Sequence, residues 1–293
     1  MSYVISSSQR LASMKNLIEN RQPEYEVEGF ETEHFNVGFG HPLYTYASDI
    51  VRYVCVAEEG GIIPVMPMCG VTIALMRHDE EHRSFVCGAN CELRKIEVEQ
   101  GDVVTLIIFT PCVANSLLNR PVGEVTGKTF KAAEVLNGSK QIDSCLRQSM
   151  EPVEKIKLIS TILRTHILQR QGNGLAEYCV RRIFETNGSI KIEELAREAG
   201  VTSRYIGKIF ENHVGLSAKY CAGIVKLKET VKKIQERPEE RLTDIAAECG
   251  YFDHTHMNKS FRKMLYCSSG GIREGMFNNI DYTKVVSYIP KFE

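Results

Sequence analysis

Two stretches of the chain, about 50 residues apart, repeat one another. Leu195-Ala196 followed by Gly200 matches Ile245-Ala246 followed by Gly250 at an offset of 50. After one inserted residue the offset becomes 51, and Thr202 matches Asp253, Ile206 matches Met257, Lys208 matches Lys259 and Phe210 matches Phe261. Each unit reads as a short helix, a tight turn and a second helix. Gly200 and Gly250 fall where the chain must enter the left-handed region to turn sharply. Thr202 and Asp253 follow as N-caps of the second helices. Ile206, Ile209, Phe210 and His213 form one apolar stripe, and Met257, Phe261 and Met264 form its counterpart. That turns Arg204, Tyr205, Gly207, Lys208 and Glu211 outward in the first unit. Thr255, His256, Asn258, Lys259 and Arg262 are turned outward in the second. A helix-turn-helix module lays such a second helix in the DNA major groove.

Between the units, Ala218 to Gln235 reads as one helix with Ile224, Leu227, Val231 and Ile234 on one face. At 1.5 Å per residue it spans on the order of 27 Å. Such a helix could hold two reading heads near one DNA turn, about 34 Å, apart on the same side of a duplex.

Residues 188–265 resemble the AraC/XylS DNA-binding domain. The likeness is carried by Ala196, Tyr205-Ile206-Gly207-Lys208-Ile209-Phe210, Gly215-Leu216-Ser217, Ile245-Ala246, Gly250-Tyr251-Phe252-Asp253 and Met257-Asn258-Lys259-Ser260-Phe261-Arg262, with matching spacing between them. The resemblance implies promoter binding as an activator or repressor, with RNA polymerase as a further partner and the second helices as readers. Ala218 departs from the family's proline. Tyr266, Ser269 and Ile272 replace a glycine, a proline and an aromatic residue, so a looser last helix is expected around Ser268-Ser269-Gly270-Gly271. Within this frame Arg204 is a candidate for bidentate contact with a guanine edge. Asn258 and His256 are candidates for base reading, and Lys208, Lys259 and Arg262 for phosphate contact. Tyr205 and Thr255 share the same surfaces. The competing reading makes these charges ordinary solvated ones, with Lys208 and Lys259 holding helix ends.

The first half reads differently. Ile50–Ala57 and Val103–Phe109 are short runs rich in β-branched residues, and Leu93–Val98 alternates apolar with charged positions. Gly60-Gly61, Pro64, Pro67, Gly88, Gly101-Asp102 and Pro111 punctuate them. A β-rich sandwich or small barrel, cupin-like, is expected. Tyr46-Ala47-Ser48-Asp49-Ile50-Val51-Arg52-Tyr53, Met68-Cys69-Gly70 and Phe109-Thr110-Pro111 resemble the β-rich N-terminal domain of one subgroup of the same regulators, which implies sensing of a small effector or homodimerisation. Met66, Met68, Phe85 and Ile107 would line an apolar interior suited to an apolar or aromatic ligand. After Gly138 the pattern turns helical, with Ile156, Ile159, Leu163 and Ile167 as a stripe within Val153–Gln171, and helical composition again over Leu175–Glu185.

The expected class is therefore α+β. The expected organisation is a β-rich sensor or dimerisation domain over 1–137, a helical connector over 138–186, a double helix-turn-helix domain over 187–280 and a tail over 281–293 that packs back on one domain. Charge follows weakly: residues 186–293 carry 17 Lys and Arg against 14 Asp and Glu, and the first 185 carry 19 against 23. The longest apolar runs, such as Val103–Phe109, fall well short of the ~20 residues of a membrane helix. Met1 to Arg10 is polar, without a signal-peptide centre. A cytoplasmic location without membrane contact is expected, with the ten cysteines as free buried thiols.

His78, His82, Cys87 and Cys91 form a cluster compatible with zinc spacing, and on strands each four-residue pair would share a face. It is not a standard structural zinc pattern. A metal- or thiol-responsive regulator built on it, and a protein-interaction module without DNA binding, are the alternatives. A buried cysteine beside a solvated His-Asp-Glu-Glu-His turn is the plainer reading, and no cofactor is expected. The β-rich half lacks the His-x-His plus glutamate set of a cupin metalloenzyme, and a phosphate-binding glycine loop before a helix and a serine nucleophile elbow are missing. A thiol methyl acceptor fused to such a DNA-binding domain would need a zinc-held cysteine group near the N-terminus, whereas the first cysteine is Cys55. The chain reads as a regulator and not an enzyme.

Overall fold

A computed structural model describes residues 27–169, 172–275, 277 and 280–289. The first half supplies strands β1 (Phe30–His34), β2 (Ala47–Cys55), β3 (Gly61–Val65), β4 (Thr72–His78), β5 (Glu81–Cys87), β6 (Arg94–Val98), β7 (Val103–Phe109) and β8 (Thr129–Lys131). Six of them form an antiparallel sheet in the order β1-β2-β7-β4-β5-β8, and β3 pairs with β6 in a second, two-stranded sheet.

Both faces of the large sheet are covered. Side chains alternate across a strand, so Val51, Tyr53, Ala74, Met76, Phe85, Leu106 and Ile108 meet Ile63, Val65, Ile96 and Val98 of the small sheet. This is the sandwich form of the expected β-rich domain. On the opposite face Ile50, Ile73, Leu75, Val86 and Ile107 pack against helices. Short helices α1 (Ala114–Leu117), α2 (Val122–Val125) and α3 (Ala132–Val135) lead into α4 (Ser139–Leu146) and α5 (Pro152–Leu168). The stripe Ile156, Ile159, Leu163 and Ile167 of α5 is buried against that face.

The next helix belongs to a different core. In α6 (Gly174–Glu185), Asn173 caps the N-terminus by accepting from the Leu175 and Ala176 amides, and Cys179, Val180 and Ile183 join the helical half of the molecule. The segment 138–186 is thus shared between two cores, α4 and α5 with the sheet and α6 with the helices that follow. These are α7 (Ile192–Glu198), α8 (Ser203–His213), α9 (Ala218–Glu236), α10 (Leu242–Glu248), α11 (His254–Leu265) and α12 (Ser269–Glu274).

Two expectations need correction. Met66, Met68, Phe85 and Ile107 do not share an interior. Ile107 faces the helices, Met68 and Phe85 face the small sheet, and Met66 packs with Leu93 among the residues of α9 to α12. The strand alternation that separates Phe85 from Ile107 is the reason. The second is the looseness expected of the last helix. Ser268 caps α12 through the Gly271 amide at 3.1 Å, while Ser269 and Ile272 are buried. The Ser269 amide and hydroxyl both donate to Asn258 Oδ1 at 2.9 Å, which docks α12 firmly on α11.

The tail packs back, as the sequence suggested, and it reaches the β half. Ser287 bridges Lys95 of β6, the Tyr288 amide donates to the Lys95 carbonyl at 2.7 Å, and its hydroxyl donates to the Gly88 carbonyl at 2.6 Å. Residues 290–292 of the expected extended stretch, and Met1 to Arg10, lie outside the described residues. All ten cysteines are free and eight of them are buried.

Candidate nucleic-acid interface

Each reading helix is held by the local chemistry the repeat demands. Gly200 and Gly250 take φ of 65° and 71° at the turns. Thr202 Oγ1 accepts from the Tyr205 amide at 3.2 Å, and Asp253 Oδ1 accepts from the His256 amide at 2.6 Å, so both second helices have side-chain caps. Ile206, Ile209 and Phe210 are buried under α8, and Met257, Phe261 and Met264 under α11. His213 is half-buried, and burial pushes its imidazole below the ordinary range.

The first helices are clamped by ion pairs. Arg182 of α6 meets Glu198 of α7 at 2.7 Å, an arrangement that holds the carboxyl below its usual range. Lys233 and Arg237 at the end of α9 both reach Glu248 of α10, the arginine at 2.8 Å. Lys226 of α9 donates to the Gly250 carbonyl at 3.0 Å and lies 5.3 Å from the Tyr251 ring centroid, so the second turn is tied directly to the connecting helix. Ile224, Leu227, Val231 and Ile234 of α9 are all buried. The two units share one rigid strut.

What remains outward is cationic. Arg204, Lys208, Lys259 and Arg262 are exposed, and among the described residues none of the four enters an ion pair. Among the described residues no hydrogen bond supports the helix-end role considered for Lys208 and Lys259. Tyr205 is half exposed and Thr255 exposed beside them. His256 is exposed, with its ring edge-on to Tyr251 at 5.5 Å and Nδ1 accepting weakly from the Phe252 amide at 3.4 Å.

Asn258 departs from the sequence expectation of base reading. It is half-buried, its oxygen accepts two bonds from Ser269, and its Nδ2 lies 3.1 Å from His254 Nε2. Its amide is committed inside the protein. Three surface residues escaped the sequence reading: Phe252, 92% exposed at the turn before α11, and Lys263 with its ammonium 5.2 Å from the ring of half-exposed Tyr220. The Gly250-Tyr251-Phe252-Asp253 motif contained the first, but an apolar side chain in a turn reads as core until the turn's direction is known.

The zinc-spaced cluster is dispersed. His78 and His82 flank the hairpin between β4 and β5, where His78 pairs with Glu81 and Arg77 with His82. The turn places the two imidazoles on opposite faces of the sheet, so spacing along a single strand does not apply. His78 instead bonds Asp102 at 2.6 Å. Cys87 is fully buried, which pushes its thiol up to about 12 and away from the thiolate a metal needs. Among the described residues no group of three or more His, Cys, Asp or Glu is arranged to hold a metal ion, and no helix is long and apolar enough to cross a membrane.

Two helix-turn-helix units on one connecting helix, each with an exposed cationic second helix, define a double helix-turn-helix domain. Residues 195–275 match the family described as a helix-turn-helix domain, in keeping with the resemblance of residues 188–265 to the AraC/XylS DNA-binding domain. The chain is 25% identical over 121 residues to the HTH-type transcriptional activator RhaS of Pectobacterium atrosepticum, a match covering 40% of this chain and 43% of the relative. The chain thus spans less than half the length of that curated relative. Among solved structures, it is similar to ToxT of Vibrio cholerae O395, at 10% identity and a TM-score of 0.39 over 86% of this chain and all of that one. It is also similar to the C-terminal domain of AraT, a response regulator from Geobacillus stearothermophilus, at 15% identity and a TM-score of 0.33 over 41% of this chain and 94% of that one.

Proposed function

We propose that this chain is a sequence-specific DNA-binding transcription regulator that acts at promoters, with RNA polymerase as a further partner. The observation that carries the reading is the pair of capped, outward-facing helices α8 and α11 on one strut, with their cations unpaired among the described residues. Bound phosphates would supply the missing counter-charge. In this reading Arg204 reads a base edge, His256 and Tyr205 border the groove with Thr255, and Lys208, Lys259 and Arg262 hold the backbone. Asn258 is assigned to docking α12 rather than to bases.

The β-rich half would modulate this activity, through a small effector or through homodimerisation. Its direct contacts with the helical half support that coupling: the Leu93 amide donates to the Met264 carbonyl at 2.7 Å, and Thr126 Oγ1 donates to the Gly215 carbonyl at 3.0 Å. Both helix-turn-helix units are therefore touched by the β-rich half, one near the end of each reading helix.

Selection of bound fragments from random DNA at two salt concentrations tests the reading. A bipartite motif with half-sites about 10 base pairs apart, bound less tightly at higher salt, is the expected result. Helices that instead engage a protein would return no motif and no steep salt dependence.

A further inference from the structure

A second site lies on the sheet face that carries α5. A cavity of about 220 Å³ opens between the sheet and the N-terminal half of that helix. Strand register explains its chemistry. Arg52 pairs with Thr105 and Thr105 with Leu75, while Val103 pairs with Arg77 and Arg77 with His82. Directly paired residues project to the same face, so two arginines and a histidine converge at one end of the sheet. Lys155 enters from α5 with its ammonium donating to the Leu146 carbonyl at 3.0 Å. Apart from Thr105, the remaining walls are apolar, led by Leu75, Leu146, Ile156 and Ile159.

The charge is unbalanced. Among the described residues no carboxylate lines the cavity. Arg52 has its register partner Glu33 of β1 at 3.6 Å, whereas Arg77 and Lys155 enter no ion pair among the described residues. Burial is the first cause that lowers the His82 pKa; Glu80 raises it, and Lys155 and Arg77 lower it. Like charges gathered beside an apolar wall repel one another, and an anion placed among them relieves the repulsion. An arginine also offers a carboxylate two parallel donors. An apolar cavity of roughly 150 Å³ already takes a benzene ring, so this one has room for a ring and a short chain.

We propose that this cleft binds a small organic acid, its carboxylate held by Arg77 and Lys155 and its apolar body lying against Leu75, Ile156 and Ile159. Calling that acid an effector rests on the regulatory reading above. Binding itself is measured without DNA, so the two can fail separately. The site differs from the apolar interior expected from the sequence in both place and charge.

The test titrates 4-phenylbutyrate into the full chain by calorimetry, alongside the neutral 4-phenylbutyramide and inorganic phosphate. The acid is expected to bind with 1:1 stoichiometry, and the amide and phosphate at least about ten-fold more weakly, as loss of a charged hydrogen bond or of apolar contact requires. Arg77→Gln and Lys155→Gln should each weaken the acid by about ten-fold or more, while Lys131→Gln, at the exposed end of β8, leaves it unchanged. Thermal unfolding of each unliganded variant establishes that it is folded. The proposal is overturned by absence of binding at millimolar acid, by equal binding of the amide or phosphate, or by folded Arg77 and Lys155 variants that bind like the unmodified chain.

Discussion

The hydroxyl of Tyr266 donates a 2.7 Å hydrogen bond to the carboxylate of Glu92, joining the end of α11 to the loop before β6. Tyr266 makes this bond from a left-handed backbone, φ 60°, the conformation that ordinarily selects glycine at a helix end. Its neighbours reinforce the junction, since Leu93 and Met66 of the β half pack into the core of the second helix-turn-helix unit. The second unit is thus oriented by the β-rich half as well as by α9.

Tyr266→Phe should lower the stability of this junction by about 1 kcal/mol, the usual worth of one hydrogen bond. Tyr266→Ala should cost more than Tyr266→Gly, because alanine keeps the left-handed strain of about 1 kcal/mol and glycine removes it. Urea unfolding of the three variants, with amide exchange followed at Leu93, measures both effects. Equal losses in the alanine and glycine variants would contradict the strain.

Lys208→Ala combined with Lys259→Ala should weaken binding to every DNA sequence and reduce the slope of log affinity against log salt by roughly two. Arg204→Ala should cost about 1–3 kcal/mol at the preferred site and relax base preference at one position of it. Fluorescence anisotropy on the selected site and on a scrambled one, across a salt series, separates these outcomes. A uniform loss for Arg204→Ala would move it to the phosphate-contacting group.

Much of the helical half was legible because its signals are local. The glycine turns, the Thr202 and Asp253 caps and the buried stripes of α8, α9 and α11 each lie within one or two helical turns of sequence. The strand over Val103–Phe109 was equally plain from its β-branched run, Val103, Val104, Thr105, Ile107 and Ile108. Less of the sheet could be read, because β4 is covered on both faces and lacks the alternation that reveals a half-exposed strand. Which apolar residues share a core depends on pairings between distant segments, so Ile107 and Phe85 looked alike in sequence and face opposite ways. The role of Asn258 was hidden for the same reason. Its partner Ser269 stands where the resemblance leads one to expect proline, and a proline would have no amide to donate.

Asn258→Ala should therefore act on stability before it acts on recognition. It removes the oxygen that accepts from both the amide and the hydroxyl of buried Ser269 and is expected to cost about 1–3 kcal/mol, the penalty for unsatisfied buried donors. Ser269→Ala, which retains the amide bond, should cost less. Denaturant unfolding, paired with DNA binding at a temperature where each variant is folded, checks the order. A folded Asn258→Ala that keeps stability yet loses one base preference would return the residue to the reading face.

His78 gives the β half a pH dependence of known sign. Its Nδ1 lies 2.6 Å from Asp102 Oδ1, and that bond raises the imidazole pKa above the ordinary 6.5, with Asp79 and Glu99 adding in the same direction. Asp102 is itself buried and its Oδ2 accepts from the Glu99 amide at 2.9 Å, so the carboxylate is held in place whatever the histidine does. A group whose pKa is raised by folding binds its proton more tightly in the folded chain. Its stabilisation is fully present below about pH 6.5, the unfolded value, and is lost as pH rises through the folded value. His78→Gln removes the titration. The stability difference between the unmodified chain and this variant, measured by urea unfolding from pH 5.5 to 8.5, should be largest at the acid end and shrink towards the alkaline end. A difference that stays flat across that range would mean that His78 and Asp102 meet as a neutral hydrogen bond and carry no proton linkage.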